Sequence, residues 1–474
     1  MNDLYLELAH SQVGKSVFEA LNLPKPPTLF RSPNLSLFAP KGRVLVAGVK
    51  NNFAFKHILK ALSTESVKLC AFQADEAYQK FFSTVRCTEG VQVEQITFNK
   101  NSNHRIKSFV FDASGLSSSK DLAALYTFFH TAIRSIKNNG RIVVIGQFAK
   151  PESSVEEAAL SSALEGFVKS LAKEVGKKGV TCNLLKIEKG AERQIQSALY
   201  YFMTDKAAFV TGQALNLVKG RSNPRKINWN KPLTGKTALV TGTAQGIGAE
   251  TARVLARDGA CVVCLDIPMN EAKTKALAEE INGHAIAIDL SDDNAAEQIT
   301  TTIASQLGVL DVVVHNAGIT RDKTMAKMPS HFWDQVIDIN LSKILEINQS
   351  LTDKILLTSR AKIICISSIS GIAGNFGQTN YAASKAGIAG YVEALAPRLE
   401  NGVTINAIAP GFIETQMTKQ VPVMTRQVGR RSNSFSQGGE TLDVAEAVSL
   451  FCHPGSQALN GNVLRVCGQS LLGK

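Results

Sequence analysis

Three segments of the first half of this chain return, in the same order, in the second. GRIVVIG (140–146) sits where AKIICIS (361–367) sits. GFVKSLAKEVGKKGVTCNLLKI (166–187) parallels GYVEALAPRLENGVTINAIAP (390–410), and SALYYFMTDKAAFVTGQALNLV (197–218) parallels EAVSLFCHPGSQALNGNVLRV (446–466). Chance likeness between α/β units does not keep several segments in one order, so the chain is an internal duplication. Both copies must then take one topology, and 474 residues are too many for one ordinary domain.

The repeated unit is readable where its strands are apolar runs. In the second half these are TALVTG (237–242), ACVVCLD (260–266), HAIAIDL (284–290), LDVVVHNAG (310–318), AKIICISS (361–368), VTINAIAP (403–410) and NVLRVCG (462–468). Helical segments separate them, which predicts a parallel sheet wound on both faces. The first half offers RVLVAGV (43–49), FVFDASG (109–115) and GRIVVIGQ (140–147), with a helix expected over 121–139. Residues 1–41 read as an arm, because PKPP (24–27) and prolines at 33 and 40 argue against regular structure. The expected division is therefore an arm (1–41), a first domain (42–218), a polar, basic linker (219–235) and a second domain (236–474).

Charge is uneven. Residues 1–230 hold 31 Lys and Arg against 18 Asp and Glu, and residues 231–474 hold 21 against 22. A basic solvated surface is the plain reading, and a landing site for an acidic carrier or a phosphorylated ligand is the sharper one. No nucleic-acid motif accompanies the charge, so that class of partner is not expected. No apolar run of spanning length and no secretory leader is seen, which points to a cytoplasmic protein without membrane insertion. Eight cysteines are scattered, and Cys261 and Cys264 share a strand pattern, which reads as core packing; no metal site is expected.

The chemistry lies in the second half. TALVTG runs into TGTAQGIGAE, which places Gly242, Gly246 and Gly248 between a strand and a helix. Glycines there permit a tight turn and close backbone approach to a pyrophosphate, and the helix N-terminus supplies N–H groups. Asp266 closes the next strand, 18 residues after Gly248. A carboxylate there suits the ribose hydroxyls of NAD and repels the 2′-phosphate of NADP. Gln245 brings no cation to hold that phosphate, so NAD(H) is the expected cofactor. Tyr381 and Lys385 stand four apart on one helix face, and a cation beside a phenol lowers its pKa. Ser368 ends the strand before them, where its hydroxyl could hold a substrate oxygen.

TGTAQGIG (241–248), NAGITRD (316–322), WDQVIDINL (333–341), ISSISGIAGNFGQTNYAASKAG (366–387) and INAIAPGFIET (405–415) together resemble the short-chain dehydrogenase/reductase family, most nearly its 3-oxoacyl-[acyl-carrier-protein] reductases. The resemblance covers residues 231–474. It implies Tyr381 as general acid/base, Lys385 as its pKa-lowering partner and ribose ligand, Ser368 as the carbonyl-orienting group, and Asn340 as support for a relay water. It implies cofactor contacts from Gly242, Gln245, Gly246, Ile247 and Gly248, from Asp289 and Leu290 at adenine, and from Asn316, Ala317 and Gly318 along the cleft. Pro410, Gly411, Ile413 and Thr415 would cover the nicotinamide end, and residues 416–439 would form a substrate lid. Gln245 and Asp266 depart from the NADPH-using carrier-protein reductases. With the long N-terminal extension they make the chain resemble the high-molecular-weight, two-domain branch, which implies NADH and acyl-CoA substrates.

Alignment of the copies leaves the first without this chemistry. Asn52 and Ala54 replace Gly246 and Gly248, Gln147 stands for Ser368, Glu157 for Tyr381 and Ser161 for Lys385. The expected architecture is α/β, two doubly wound parallel-sheet (Rossmann-like) domains, with the N-terminal one degenerate and flavodoxin-like. Relatives pair through the helix bearing Tyr and Lys, and a degenerate copy could fill a partner's place within one chain. The expected assembly is a homodimer imitating a tetramer; sedimentation as an intact tetramer of full-length chains would count against it. The expected function is NADH-dependent reduction of a 3-oxoacyl thioester, carried by CoA or acyl-carrier protein. An NAD-dependent dehydrogenase of another secondary alcohol, a non-catalytic NAD-binding scaffold and a subunit of a larger assembly remain open alternatives.

Overall fold

A computed structural model describes residues 3–21, 25–32, 39–72, 93–98, 102–224, 226–419 and 421–471. Pro24, Pro33 and Cys87 lie outside the described residues, as does Gln420 in the expected lid. The strands are β1 (Gly42–Gly48), β2 (Val67–Phe72), β3 (Val93–Ile96), β4 (Ile106–Asp112), β5 (Ile136–Gln147), β6 (Thr181–Ile187) and β7 (Ala214–Leu217). The second set is β8 (Thr237–Thr241), β9 (Cys261–Asp266), β10 (His284–Ala287), β11 (Leu310–His315), β12 (Leu357–Ile366), β13 (Thr404–Pro410) and β14 (Val463–Val466). They form two parallel sheets in the orders β3-β2-β1-β4-β5-β6-β7 and β10-β9-β8-β11-β12-β13-β14. These are one order, as a duplication requires. Both are of Rossmann type, where strand 1 neighbours strands 2 and 4; a flavodoxin-like first sheet would place strand 3 beside strand 1. Even a local irregularity recurs: register shifts between Ile106 and Ser108 in β4 and between Leu310 and Val312 in β11. The central strands are buried on both faces, which explains their near-continuous apolar sequences.

Two expectations need correction. Helix over 121–139 runs only from Ala123 to Ala132; a 3-10 turn follows, and Ile136 already begins β5 and pairs with Ile106. Asn139, in the left-handed region at φ 54°, lies inside β5 where its register against β4 shifts. Upstream of the prolines the arm is also regular, with helices Leu4–His10 and Gln12–Ala20. The first is capped by Asp3, whose side chain accepts from Leu6 N. Proline stops a helix locally and says nothing of the residues ahead of it.

The two halves meet through their last strands and helices, not through the helix bearing Tyr381 and Lys385. Leu217 bridges Leu459 antiparallel, and Val218 N donates to Ala458 O at 2.9 Å. Asn216 N donates to Asn462 Oδ1 (2.7 Å) and Asn462 Nδ2 returns a bond to Asn216 O (3.0 Å). Helix Gln196–Met203 lies against helix Thr441–Cys452, whose residues from Leu442 to Cys452 are all buried. One hydrophobic core runs through both halves, from Val44 and Leu199 to Val448 and Leu464. The outer face of helix Thr379–Leu395 carries exposed Ala383, Ala386, Gly390 and Ala394.

No helix among the described residues is long and apolar enough to cross a membrane. Among them no three His, Cys, Asp or Glu side chains cluster as a metal site, and the seven described cysteines are free. Cys264 is buried in the shared core.

Candidate active site

The glycine loop leaves β8 and enters helix Gly246–Arg257. Each glycine there has its own cause. Gly242 has φ +71°, and a Cβ on it would lie 2.9 Å from Ala317 Cα. A Cβ on Gly248 would collide with the Gly242 carbonyl. Gly246 has φ +64° and opens onto space, where a Cβ would meet only Thr415 Cγ2 at 3.9 Å. Gln245 stands at the N-cap in extended conformation and its side chain caps nothing, so the N–H groups of the first turn, Ile247 included, face that space. Asn316 holds the loop: its Nδ2 donates to Thr241 O (2.9 Å) and Gly242 O (3.0 Å), while Thr241 Oγ1 accepts from the Asn316 and Ala317 amides.

Asp266 ends β9 beside this loop. Its Oδ2 accepts from Ala244 N at 2.8 Å, and its Oδ1 from Ile267 N (2.9 Å) and Asn270 Nδ2 (2.8 Å). The carboxylate is thus aimed, with acceptor capacity to spare on Oδ2. Asp289 closes a turn by accepting from Ser291 N and Oγ. Leu290 is buried with Ile288 and Ile299, so its side chain packs the core and only its backbone can face a ligand.

Ser368 follows β12 in extended conformation and caps helix Ile369–Ala373, its Oγ accepting from Ser370 N at 3.1 Å. Tyr381 and Lys385 project from helix Thr379–Leu395, as their spacing predicts. The Ser368 hydroxyl acts on the phenol to lower its pKa. Lys385 is buried; its Nζ donates to Ile366 O at 2.8 Å and stands 5.7 Å from the centroid of the Tyr381 ring. Asn340 sits on a π-helical turn, Asp338–Ser342, a local widening often found at functional sites. Its Oδ1 accepts from Ile319 N (2.8 Å), and its Nδ2 donates to Ile319 O (2.9 Å) and Ser384 Oγ (3.2 Å). A Cβ on Gly318 would lie 3.0 Å from Asn340 Oδ1 and 3.3 Å from Lys385 Nζ, so this glycine is the floor on which the two converge.

Burial works against the expected lowering of the phenol's pKa. Burial raises the Tyr381 phenol above its ordinary value; the Ser368 bond offsets part of this and the Asp322 charge adds to it. Burial also favours the neutral form of Lys385 and brings it to about 8, which leaves an ammonium beside the phenol at neutral pH. Sequence shows the cation beside the phenol but not the burial of both.

Pro410 ends β13, and Gly411 is required because a Cβ would come 2.5 Å from Cys467 Cβ. Ile413 is buried and bridges Gly439, and Thr415 lies across from Gly246. The segment that follows holds helices Gln416–Lys419 and Val423–Arg431, with Arg430 bonded to Glu414 at 2.5 and 2.9 Å. Sequence reading missed Asn380. Its Oδ1 accepts from Tyr381 N, and its Nδ2 donates to Arg321 O and Phe332 O, which seats the helix on the NAGITRD loop. Gln378 adds a bond to Asp322 at 2.8 Å. The detectable signal was a polar pair, Asn380 and Ser384, one residue ahead of Tyr381 and Lys385 with the same spacing.

The first half fills the corresponding space with itself. Sheet register sets Asp112 and Ser114 where Asn316 and Gly318 stand. Ser114 Oγ accepts from the Phe53 and Ala54 amides (3.1 and 3.3 Å), the N–H groups that a phosphate would need. A Cβ on Gly115 would collide with Lys50 O, so the β1 loop has closed over the gap. Gln147 Nε2 donates to Glu157 Oε1 at 3.0 Å: the residues in the Ser368 and Tyr381 positions satisfy one another.

Residues 236–425 match the family model described as short chain dehydrogenase. The 3-oxoacyl-[acyl-carrier-protein] reductase FabG of Vibrio harveyi is 35% identical over 239 residues, which take in 50% of this chain and 97% of that protein. The reductase of the same name from Thermotoga maritima is 34% identical over 242 residues, 50% of this chain and 98% of the relative. Nodulation protein G of Azospirillum brasilense is 37% identical over 241 residues, again 50% and 98%. With a serine, a tyrosine and a lysine gathered at the end of a Rossmann sheet, and relatives of this kind spanned almost from end to end, the chain belongs to the short-chain dehydrogenase family of oxidoreductases.

Proposed function

We propose that the second half reduces 3-oxoacyl thioesters to 3-hydroxyacyl thioesters with NADH, in the cytoplasm, on substrates carried by CoA or acyl-carrier protein. Membership of the family implies a nicotinamide cofactor, and the residues fit one. The open space over Gly246, the uncapped helix N-terminus and the aimed carboxylate of Asp266 suit a pyrophosphate and an unphosphorylated ribose. When bound, the dihydronicotinamide supplies the hydride. The observation that carries the reading is the group of half-buried Ser368 and Tyr381 and buried Lys385 beside Gly318.

Ser368 donates its hydroxyl hydrogen to the substrate carbonyl and fixes it against Tyr381. As hydride reaches C3, the Tyr381 phenol gives its proton to the developing alkoxide, and the C=O bond becomes C–H and O–H. A phenol whose pKa is raised stays protonated at neutral pH, which suits an acid in the direction of reduction. Lys385 stabilises the phenolate left behind and passes on a proton from solvent. The printed names of the relatives favour a 3-oxoacyl thioester over another ketone. A second copy of the chain would cover the small-residue face of helix Thr379–Leu395, giving the homodimer.

The pH profile tests this division of labour. kcat/KM reports groups of the free enzyme, and Lys385 in the free enzyme titrates at about 8. Reduction of a 3-oxoacyl-CoA by NADH should therefore fall as pH rises through about 8, when the ammonium is lost. A profile flat up to the ordinary lysine range, about 10, would contradict the role given to Lys385.

A further inference from the structure

The arm reaches the lid. Asp3 takes Arg431 of helix Val423–Arg431 in a two-pronged bond, Arg431 Nη1 to Oδ2 at 2.8 Å and Nη2 to Oδ1 at 2.5 Å. The guanidinium also lies over the Tyr5 ring, 4.5 Å from its centroid. Tyr5 in turn packs edge-on against Phe18 at 4.9 Å, which joins the two arm helices. Further along, Pro27 O accepts from Gln437 Nε2 at 2.7 Å, and Arg31 pairs with Asp443 (2.8 Å) and Glu440 (2.9 Å). The first half anchors the same segment, because Asn139 bonds Thr28 O and Phe30 N. Arg431 has a buried neighbour, Arg430, whose fork holds Glu414 between Ile413 and Thr415.

These contacts form one route from the arm to the cleft: Asp3 to Arg431, the adjoining Arg430 to Glu414, and Glu414 to the segment facing Gly246. Bidentate guanidinium–carboxylate pairs fix orientation as well as distance, and two in succession hold a short helix by one edge. The helix also buries Arg426 and presents Val423, Met424 and Val428 to solvent.

We propose that residues 3–21 and 25–31 are a strap that positions the substrate lid, with Asp3 and Tyr5 as positioning residues acting through Arg431 on helix Val423–Arg431. The inference rests on the reading of residues 416–439 as a lid over the thioester. It gives the degenerate half a task, which is to anchor the strap that closes the other half's site. A lid held in place lowers the cost of ordering it on binding, so its loss appears in KM and spares the chemical step.

The test uses the full chain, wild type, Asp3→Asn, Asp3→Glu and Arg431→Gln, with two readouts. Amide hydrogen exchange over 423–431 reads the strap without any substrate. Steady-state kinetics with NADH and 3-oxoacyl-CoA read its effect on the site. Asp3→Asn and Arg431→Gln should each speed exchange over 423–431 and raise KM for the thioester about tenfold, the equivalent of about 1.4 kcal/mol, with kcat within about twofold. Asp3→Glu should recover most of both. Unchanged exchange in both variants overturns the strap whatever the activity. Faster exchange with unchanged KM overturns its positioning role. If no thioester is turned over even by the wild type, the proposed function fails, and exchange still decides the strap by itself.

Discussion

Replacing Tyr381 by Phe should lower kcat for thioester reduction by about a hundredfold to ten-thousandfold, the range for loss of a positioned general acid. NADH affinity and melting temperature should stay near those of the wild type. Phe keeps the ring, and with it the packing against Lys385 and the helix start seated by Asn380. Only the hydroxyl goes, and with it the proton donor and the partner of Ser368. Ser368→Ala should cost less, because the carbonyl still meets the phenol but is no longer held against it. The double variant should lose little beyond Tyr381→Phe alone, since residues acting as a unit are not additive. Tyr381→Phe turning over within about tenfold of the wild type would assign the proton to another group.

The largest loss of stability should come from a residue remote from the chemistry. Glu446 lies on helix Thr441–Cys452 at the seam between the halves. Its Oε2 accepts from Lys206 Nζ at 2.6 Å, with both side chains only 3% exposed, and Arg257 Nη2 bonds the same oxygen at 3.0 Å. Asp258 adds a bond to Ser449 at 2.5 Å. Burial lowers the pKa of Lys206, and the Glu446 charge acts against this. Glu446→Ala removes the carboxylate that offsets two partly or wholly buried cations, and should cost about 3–5 kcal/mol. Lys206 belongs to the first half and Arg257 to the second, so both sheets should unfold in one shifted transition. Lys206→Met with Glu446→Leu should recover part of the loss, because an apolar pair needs no desolvated charge. Denaturant unfolding followed by circular dichroism measures this, and a loss below about 1 kcal/mol, the size of a surface pair, would refute the claim that this cluster ties the halves.

The second half was readable because its central strands are buried on both faces and so spell apolar runs, and because its glycine loop, Asp266 and Tyr381 lie in local patterns of fixed spacing. In the first half, β2 and β3 escaped the same reading. VKLCAF carries an exposed lysine, and VEQI is four residues long with two exposed. The closing of the first cleft was legible only in part. Sequence shows that Asn52 and Ala54 are not glycines, but not that Ser114 would turn its hydroxyl onto their neighbours' amides. The meeting of the halves along β7 and the segment 458–462 ahead of β14 was missed for a related reason: a duplicated chain has two faces by which its copies can meet, and no local residue pattern chooses between them. The strap was invisible because Asp3 and Arg431 are 428 positions apart, and no periodicity connects them.

The most direct measurement is oxidation of NADH by the purified full chain with acetoacetyl-CoA, beside an identical reaction with NADPH. The account predicts turnover with NADH that needs Tyr381, and weak turnover with NADPH because the Asp266 carboxylate would repel a 2′-phosphate on the ribose. Equal or better turnover with NADPH would contradict the assignment of Asp266. Absence of turnover with either cofactor, in protein shown to bind NADH, would contradict the thioester reading and leave an oxidoreductase for another carbonyl or alcohol.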